Sequence, residues 1–383
     1  MNNSINYFPG LDGIRFYAAI LVVLSHIESF KNRFEIPTLK LFPISFKYWG
    51  DFSVTLFFVL SGYLITYLLI VEKQKFLTIN VGKFYMRRIL RIWPLYYFVL
   101  LTGFFIWNQW SFLWDPKISI DFLKYSKDSF FYHFLFLSNI SLCLYAGLPY
   151  LGHTWSISVE EQFYLIWPVI IKYSSNILIS LLTVLFLYLF LKLFVPYFIE
   201  DKNWKEIYKN IIGYTRISCM AIGGLGAYFI YNRDKFNLKF RSFIYSYFFQ
   251  MATFLAILII FYFQKKAPFI HHELISVVFV FFIINISTNP ESLLKFNHPI
   301  YRYLGNLSFS IYLLHPIVLG VLTSSISRLI PENYLPFEIL IIIHFLLSIC
   351  FTILFAMISY RFIEKPFLKL KTVQEVVIVN RNL

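Results

Sequence analysis

Charged residues are scarce. Asp, Glu, Lys and Arg make up only 14% of the 383 residues, and just 20 of them are acidic. A soluble domain carries about a quarter of its residues as charge, so a solvated globular surface is excluded. Cysteine is nearly absent. Cys143, Cys219 and Cys350 all lie in apolar stretches without metal-ligand spacing, which argues against a disulfide framework or a zinc site. They are expected to pack as small, buried, inert hydrophobes. Met1 to Pro9 lacks a basic leader segment, and no small-residue cleavage site follows the first apolar block. That block is therefore expected to stay as a helix rather than leave as a signal peptide. Repeats, low-complexity tracts and soluble linkers are missing too, and about two dozen residues after position 360 fall short of an independent domain. The expectation is one membrane domain over 1–383, with a helical core at about 10–360 and a short basic cytoplasmic tail at 361–383.

What the chain has instead is apolarity, at 58% hydrophobic residues, including 46 Phe and 28 Tyr. Aromatics at that level suit a lipid-facing surface and interfacial belts. The formal net charge of +14 is carried in short loops between apolar blocks, a pattern that orients helices and favours anionic lipid or an anionic cofactor over nucleic acid. Blocks long enough to cross the hydrocarbon lie at about 12–30, 52–71, 90–108, 130–147, 159–173, 177–197, 211–231, 242–263, 273–289, 304–327 and 337–359. The loop 72–91 sets Lys73, Lys75, Lys83, Arg87, Arg88 and Arg91 against Glu72, which places it and the N-terminus in the cytoplasm. If 130–147 dips in and returns, the basic segments around Arg233 to Arg241 and Arg361 to Lys371 are cytoplasmic as well. Asn139, Ser141, Gly147 and Pro149 suit such an element better than a span. The expected fold is all-α: a polytopic bundle of ten transmembrane helices plus one re-entrant segment, with both termini cytoplasmic.

Several titratable groups sit where they are costly. Arg15 and His26 are eleven positions apart in the first block, within about 20° of one face and roughly 16 Å apart along a helix axis. A histidine there can accept a proton, and an arginine near the cytoplasmic end can hold an anion or snorkel. In "GKFYMRRILRIWP", Arg88 and Arg91 share a face, suiting phosphate oxygens or plain topological anchoring. "LGHTWSISVEEQFYLIWP" gathers His153, Trp155, Ser156, Ser158, Glu160, Glu161 and Gln162 just before an apolar helix. Ser158 and Glu161 have capping-box spacing, and adjacent carboxylates point about 100° apart, so one can cap while the other faces inward. Ser61 and Gly62 in "FFVLSGYLIT" suit close helix packing. Arg216 needs a partner, with Glu160 or Glu161 the candidates. His315 precedes Pro316, so it satisfies a freed carbonyl or lines a cavity.

Together, "LDGIRFYAAILVVLSH", "FFVLSGYLIT", "FYMRRILRIWPLYY", "HTWSISVEEQFYLIWP" and "LGNLSFSIYLLHP" resemble the membrane acyltransferase-3 family, in its order and from residue 11 to about 316. The chain resembles the stand-alone form, without the fused periplasmic esterase-like domain of some members. The resemblance implies an enzyme that transfers an acyl group, most often acetyl, from cytosolic acetyl-CoA to a hydroxyl of a cell-surface carbohydrate such as O-antigen of lipopolysaccharide, capsule or exopolysaccharide. It places the protein in the bacterial cytoplasmic (inner) membrane, in contact with lipid. By matching position, His26 is the candidate general base or acyl carrier, with Glu160 and Glu161 as the motif carboxylates. Arg15, Lys83, Arg87, Arg88 and Arg91 are expected along the donor's path, and Trp155, Ser158, Arg216, Ser61 and His315 along the substrate's, with Arg216 a candidate oxyanion donor. No metal and no permanently bound cofactor are expected. The competing reading is a transporter or flippase, whose intramembrane Arg and His would line a translocation path. A polar constellation without paired interrupted helices or a two-half repeat speaks against it.

Overall fold

A computed structural model describes residues 8, 10–34, 46, 48–107, 109–110, 113, 121–145, 147–235, 237–263, 270–329 and 336–370. Among the described residues there are helices and no strands, as an apolar chain in lipid requires, because a helix satisfies its backbone within the segment. The helices are α1 (Leu11–Arg33), α2 (Trp49–Phe76), α3 (Val81–Thr102), α4 (Asp121–Phe134), α5 (Ser138–Tyr145), α6 (Trp155–Tyr173), α7 (Ile177–Leu193), α8 (Lys202–Thr215), α9 (Ile217–Tyr231), α10 (Leu238–Tyr245), α11 (Tyr247–Phe263), α12 (His271–Thr288), α13 (Pro299–Leu329) and α14 (Phe337–Ser359).

Seven stretches among the described residues are long and apolar enough to span a membrane, and an eighth is the pair α10 and α11, bent by 53°. Three of the expected blocks fall short of that length and apolarity, for local reasons. α6 carries Glu160, Glu161 and Lys172. The block 211–231 is cut at Arg216, whose φ of 36° ends α8 and leaves α9 with 15 residues. The fourth block is likewise broken, at Phe136 (φ 55°), into the end of α4 and the short α5. The chain does not end its helical part at 360 either. α14 continues through a π-helical turn, Tyr360–Glu364, into helix that reaches Leu370. Residues 371–383 of the expected tail, and the N-terminal residues 1–7 and 9, lie outside the described set.

The contacts divide the chain into two compact units. The first comprises 1–18, 48–79 and 159–306. Its axis is α2, which α9 approaches so closely that a Cβ on Gly62 would lie 2.0 Å from the Met220 carbonyl oxygen and one on Gly223 2.2 Å from that of Val59. Small residues at such a crossing let backbones meet, the packing expected of "LSGY". α6 runs parallel to α2: Trp167 Nε1 donates to Thr66 Oγ1 at 2.9 Å, and Lys73 Nζ donates to the Ile171 and Ser174 carbonyls at 2.8 and 2.6 Å. α12 does the same, with Thr55 beside His272 and Tyr63 beside Ser287.

The second unit comprises 19–47, 80–158 and 307–383. Here Gly103, at the end of α3, packs directly on Leu151, just before α6. Tyr96 and Tyr97 donate to the His133 and Phe134 carbonyls at 2.7 and 3.0 Å, pinning the end of α4 to α3. Of the cysteines only Cys219 is buried. Cys143 is half-buried and Cys350 exposed on α14, correcting the expectation that all three are sealed.

Candidate active site

Three histidines from distant parts of the chain meet within the second unit. The rings of His26 (α1) and His315 (α13) lie 4.8 Å apart, and those of His315 and His153 5.2 Å apart. His153 sits in the 3-10 turn Gly152–Thr154 that leads into α6. Each ring is oriented by a backbone carbonyl. The Val22 oxygen lies 2.9 Å from His26 Nδ1, the Tyr312 oxygen 2.7 Å from His315 Nδ1, and the Leu313 oxygen 3.1 Å from His153 Nε2. A carbonyl only accepts, so those nitrogens carry the proton in the neutral rings and the opposite nitrogens carry lone pairs. The Tyr312 carbonyl can accept from His315 because Pro316 lacks the N–H that would have bonded it in the helix.

The three rings differ in access. His315 is fully buried and His153 is 7% exposed, and their free nitrogens, Nε2 and Nδ1, have no hydrogen-bond partner. His26 is half-buried, so of the three rings it is the one that is partly exposed, with its lone pair on Nε2. A hydroxyl chain braces the cluster: Ser156 Oγ lies 2.6 Å from Tyr312 Oη, and Tyr312 Oη donates to the His153 carbonyl at 2.9 Å. Ser156 Oγ also reaches the His153 carbonyl, at 3.4 Å, so both hydroxyls converge on that oxygen. Such a group is chemically a positioned base or nucleophile beside two further imidazoles. Among the described residues no group of three or more His, Cys, Asp or Glu side chains is placed to hold a metal ion.

Residues 8–361 match the acyltransferase-3 family, described as "Acyltransferase domain". The chain belongs to that family. It is 27% identical over 385 residues to the O-acetyltransferase OatA of Staphylococcus aureus, covering 96% of this chain and 58% of that protein. It is 27% identical over 390 residues to the peptidoglycan O-acetyltransferase OatA of Listeria monocytogenes, covering 96% and 56%. A putative O-acetyltransferase of S. aureus is 27% identical over 403 residues, covering 96% and 58%. The chain thus spans little more than half the length of these curated relatives. No solved structure matches it.

In the first unit of this family member, Ser61 and Glu160 come together: the Ser61 hydroxyl donates to Glu160 Oε1, and Tyr164 Oη donates to Ser61 Oγ at 3.2 Å. Two of the quoted motifs thereby meet across α2 and α6. Glu161, beside Glu160, is half-buried. Ser158 is not a cap. α6 already starts at Trp155, so Ser158 lies inside the helix, fully buried, with its Oγ 2.7 Å from Ser138 Oγ. Trp155 is half-buried at the first position of α6.

Arg216 meets the carboxylate of Asp51, where Glu160 or Glu161 was expected. Its guanidinium donates to Asp51 Oδ1 and, at 3.3 Å, to Thr55 Oγ1, and a second ion pair, Lys192 with Glu273 at 2.8 Å, lies in the same unit. The Asp51 carboxylate wins because the αL turn at Arg216 aims its side chain at the start of α2. A guanidinium so held clamps α9 to the start of α2. Arg15 holds Asp12 at 3.0 Å, one helical turn away on α1. Lys83 is exposed in the first turn of α3, where its N–H is capped by Asn80 at 2.9 Å. Arg87, Arg88 and Arg91 are half-buried along the following turns, with Arg88 5.4 Å from the Phe84 ring.

Three functional candidates escaped the residue-by-residue assignment. His153 was visible in "GHTW" but was given no partner. Asp51 lies just outside the quoted motifs. Glu364, in "YRFIEKP", was assigned to a tail, yet it is 4% exposed, accepts a hydrogen bond from Ser310 and lies within electrostatic reach of Arg91.

Proposed function

We propose that this acyltransferase moves an acetyl group from cytosolic acetyl-CoA to a hydroxyl of a cell-surface carbohydrate at the cytoplasmic membrane of a bacterium. The observation that carries the reading is the half-buried His26 ring: the Val22 carbonyl holds its Nδ1, which leaves the lone pair on Nε2, and His315 and His153 stand beside it. The names of the relatives support acetyl as the acyl group. Peptidoglycan, named for the Listeria relative, is an acceptor of the right kind, a glycan with free hydroxyls on the outer side.

The chemistry balances without an added reagent. His26 Nε2 takes the proton of the acceptor hydroxyl as its oxygen attacks the thioester carbonyl. The tetrahedral adduct then expels coenzyme A as a thiolate, and the thiolate takes the proton from Nε2. In the covalent variant, Nε2 attacks the thioester first and expels coenzyme A as a thiolate; the acceptor hydroxyl then attacks the acyl-imidazolium, the neutral ring leaves, and the hydroxyl proton passes to the thiolate. Arg88, Arg91, Arg87 and Lys83 at the start of α3 are suited to the donor's phosphates, because guanidinium forks and a helix N-terminus both favour phosphate. Arg15, near the N-terminal end of α1, holds the donor's path, and the paired Ser61 and Glu160 provide an oriented carboxylate.

The test uses the purified full chain in liposomes with radiolabelled acetyl-CoA enclosed and a glycan acceptor outside. Label appearing on the glycan supports the reading. Movement of an unmodified solute with no label transferred overturns it in favour of a transporter.

A further inference from the structure

The bend between α10 and α11 is built rather than frayed. Gln250 Nε2 and Asn289 Nδ2 both donate to the Tyr245 carbonyl, at 3.0 and 3.1 Å, and Asn285 Nδ2 donates to that of Ile244 at 3.2 Å. Tyr245 Oη lies 2.8 Å from Thr288 Oγ1, and Ser246 Oγ accepts the Phe249 N–H at 3.2 Å to start α11. Three amides, of α11, α12 and the residue that follows α12, are thus spent on holding an eight-residue helix at 53° to its successor.

That device frames a groove of about 180 Å³ whose walls include Met251, Phe254, Phe282, Ile286 and Leu293. The polar atoms at its edge are already used: Gln250 Oε1 accepts the Leu293 N–H at 2.9 Å, and Asn285 Oδ1 accepts from Asn289 at 3.0 Å. The groove therefore offers an occupant apolar contact and little else. α10, whose last two carbonyls are held by the groove residues Asn285 and Gln250, and the turn before it carry Arg233, Lys235, Lys239 and Arg241 against one acid, Asp234. Arg233 and Arg241 sit 3.8 and 3.7 Å from Asp234, which leaves a net positive cap. Leu238, Phe240 and Phe243 of the same helix are exposed, at 69%, 47% and 53%. A basic, aromatic helix lying off the span axis is the composition of an interfacial element.

We propose that this bend binds one anionic phospholipid, its acyl chain in the groove and its phosphate against Lys239 and Arg241. Apolar walls with satisfied polar edges select a chain, and the excess of cations selects the charge of the headgroup. Other occupants fit less well: a polar metabolite finds no free donors in the groove, and a neutral lipid makes no use of the cap.

The test is native mass spectrometry of the detergent-purified full chain titrated with phosphatidylglycerol or phosphatidylcholine of the same acyl chains. The wild type is expected to retain one phosphatidylglycerol in preference to phosphatidylcholine, and added salt is expected to erode only the former. At about fivefold per cation, Lys239→Gln with Arg241→Gln weakens phosphatidylglycerol about thirtyfold and leaves phosphatidylcholine unchanged. Met251→Trp, at an exposed position of the groove wall, weakens both lipids. Equal retention of the two lipids by the wild type, or salt-insensitive binding, overturns the proposal without recourse to any variant. Undiminished phosphatidylglycerol binding by the Lys239 and Arg241 double variant overturns the assignment of the headgroup site.

Discussion

Removing the Asp51 carboxylate strands a guanidinium inside the protein. The Arg216 side chain is 7% exposed and that of Asp51 21%, so neither charge is well solvated by water. Breaking such a pair from one side costs about 3–5 kcal/mol, whereas replacing both members with apolar groups is often close to neutral. Arg216 keeps other acceptors, the Gly213 carbonyl at 3.2 Å and Thr55 Oγ1 at 3.3 Å, which places Asp51→Ala near the lower end, about 3 kcal/mol. Arg216→Met leaves Asp51 beside His272, whose Nε2 is 3.7 Å from Oδ2, and is expected to cost less. The double variant is expected to lose about 1 kcal/mol, giving a coupling of about 2 kcal/mol or more. Equilibrium unfolding in mixed micelles, followed by tryptophan fluorescence, measures all three. If the two single losses simply add in the double variant, the ion pair is not the clamp described and the reasoning is refuted.

Further outcomes follow from the same contacts. Gly62→Ala puts a Cβ 2.0 Å from the Met220 carbonyl oxygen, where ordinary contact needs about 3.4 Å, so α2 and α9 must part and the thermal midpoint falls; an unchanged midpoint would deny the crossing. Ser61→Ala and Glu160→Gln are expected to lower acetyl transfer by similar factors and to do no more together, because each removes the same hydrogen bond; multiplicative losses would separate them. Arg88→Ala with Arg91→Ala is expected to weaken acetyl-CoA about a hundredfold or more, at roughly 1.5–3 kcal/mol per charged contact, and to flatten the salt dependence of binding. Calorimetry showing wild-type affinity would return both residues to topology.

The class of fold was legible because it rests on one-dimensional quantities: scarce charge and apolar blocks leave only a helical membrane bundle. The pairing of charges was not. Arg216 needed a carboxylate, and local sequence offered Glu160 and Glu161, but the αL turn at Arg216 sends it to Asp51, 165 positions away. Helix ends misled in the same way. Ser158 and Glu161 have the spacing of a cap, yet the 3-10 turn at Gly152–Thr154 starts the helix earlier and buries Ser158. Glu364 looked like part of a tail because a charge after a long apolar run signals the end of a span. A π turn instead tucks it against Ser310. His26 was visible as a costly group in an apolar run, whereas the contact that groups it with His315 and His153 depends on three segments meeting in space.

The most direct measurement of the central claim is acetyl transfer by His26→Ala in the liposome assay, with acetyl-CoA binding to the same preparation as the check on folding. Loss of a general base or acyl carrier predicts a fall of about 10²–10⁴-fold with donor binding retained. Transfer close to wild type, with the donor bound normally, contradicts the account.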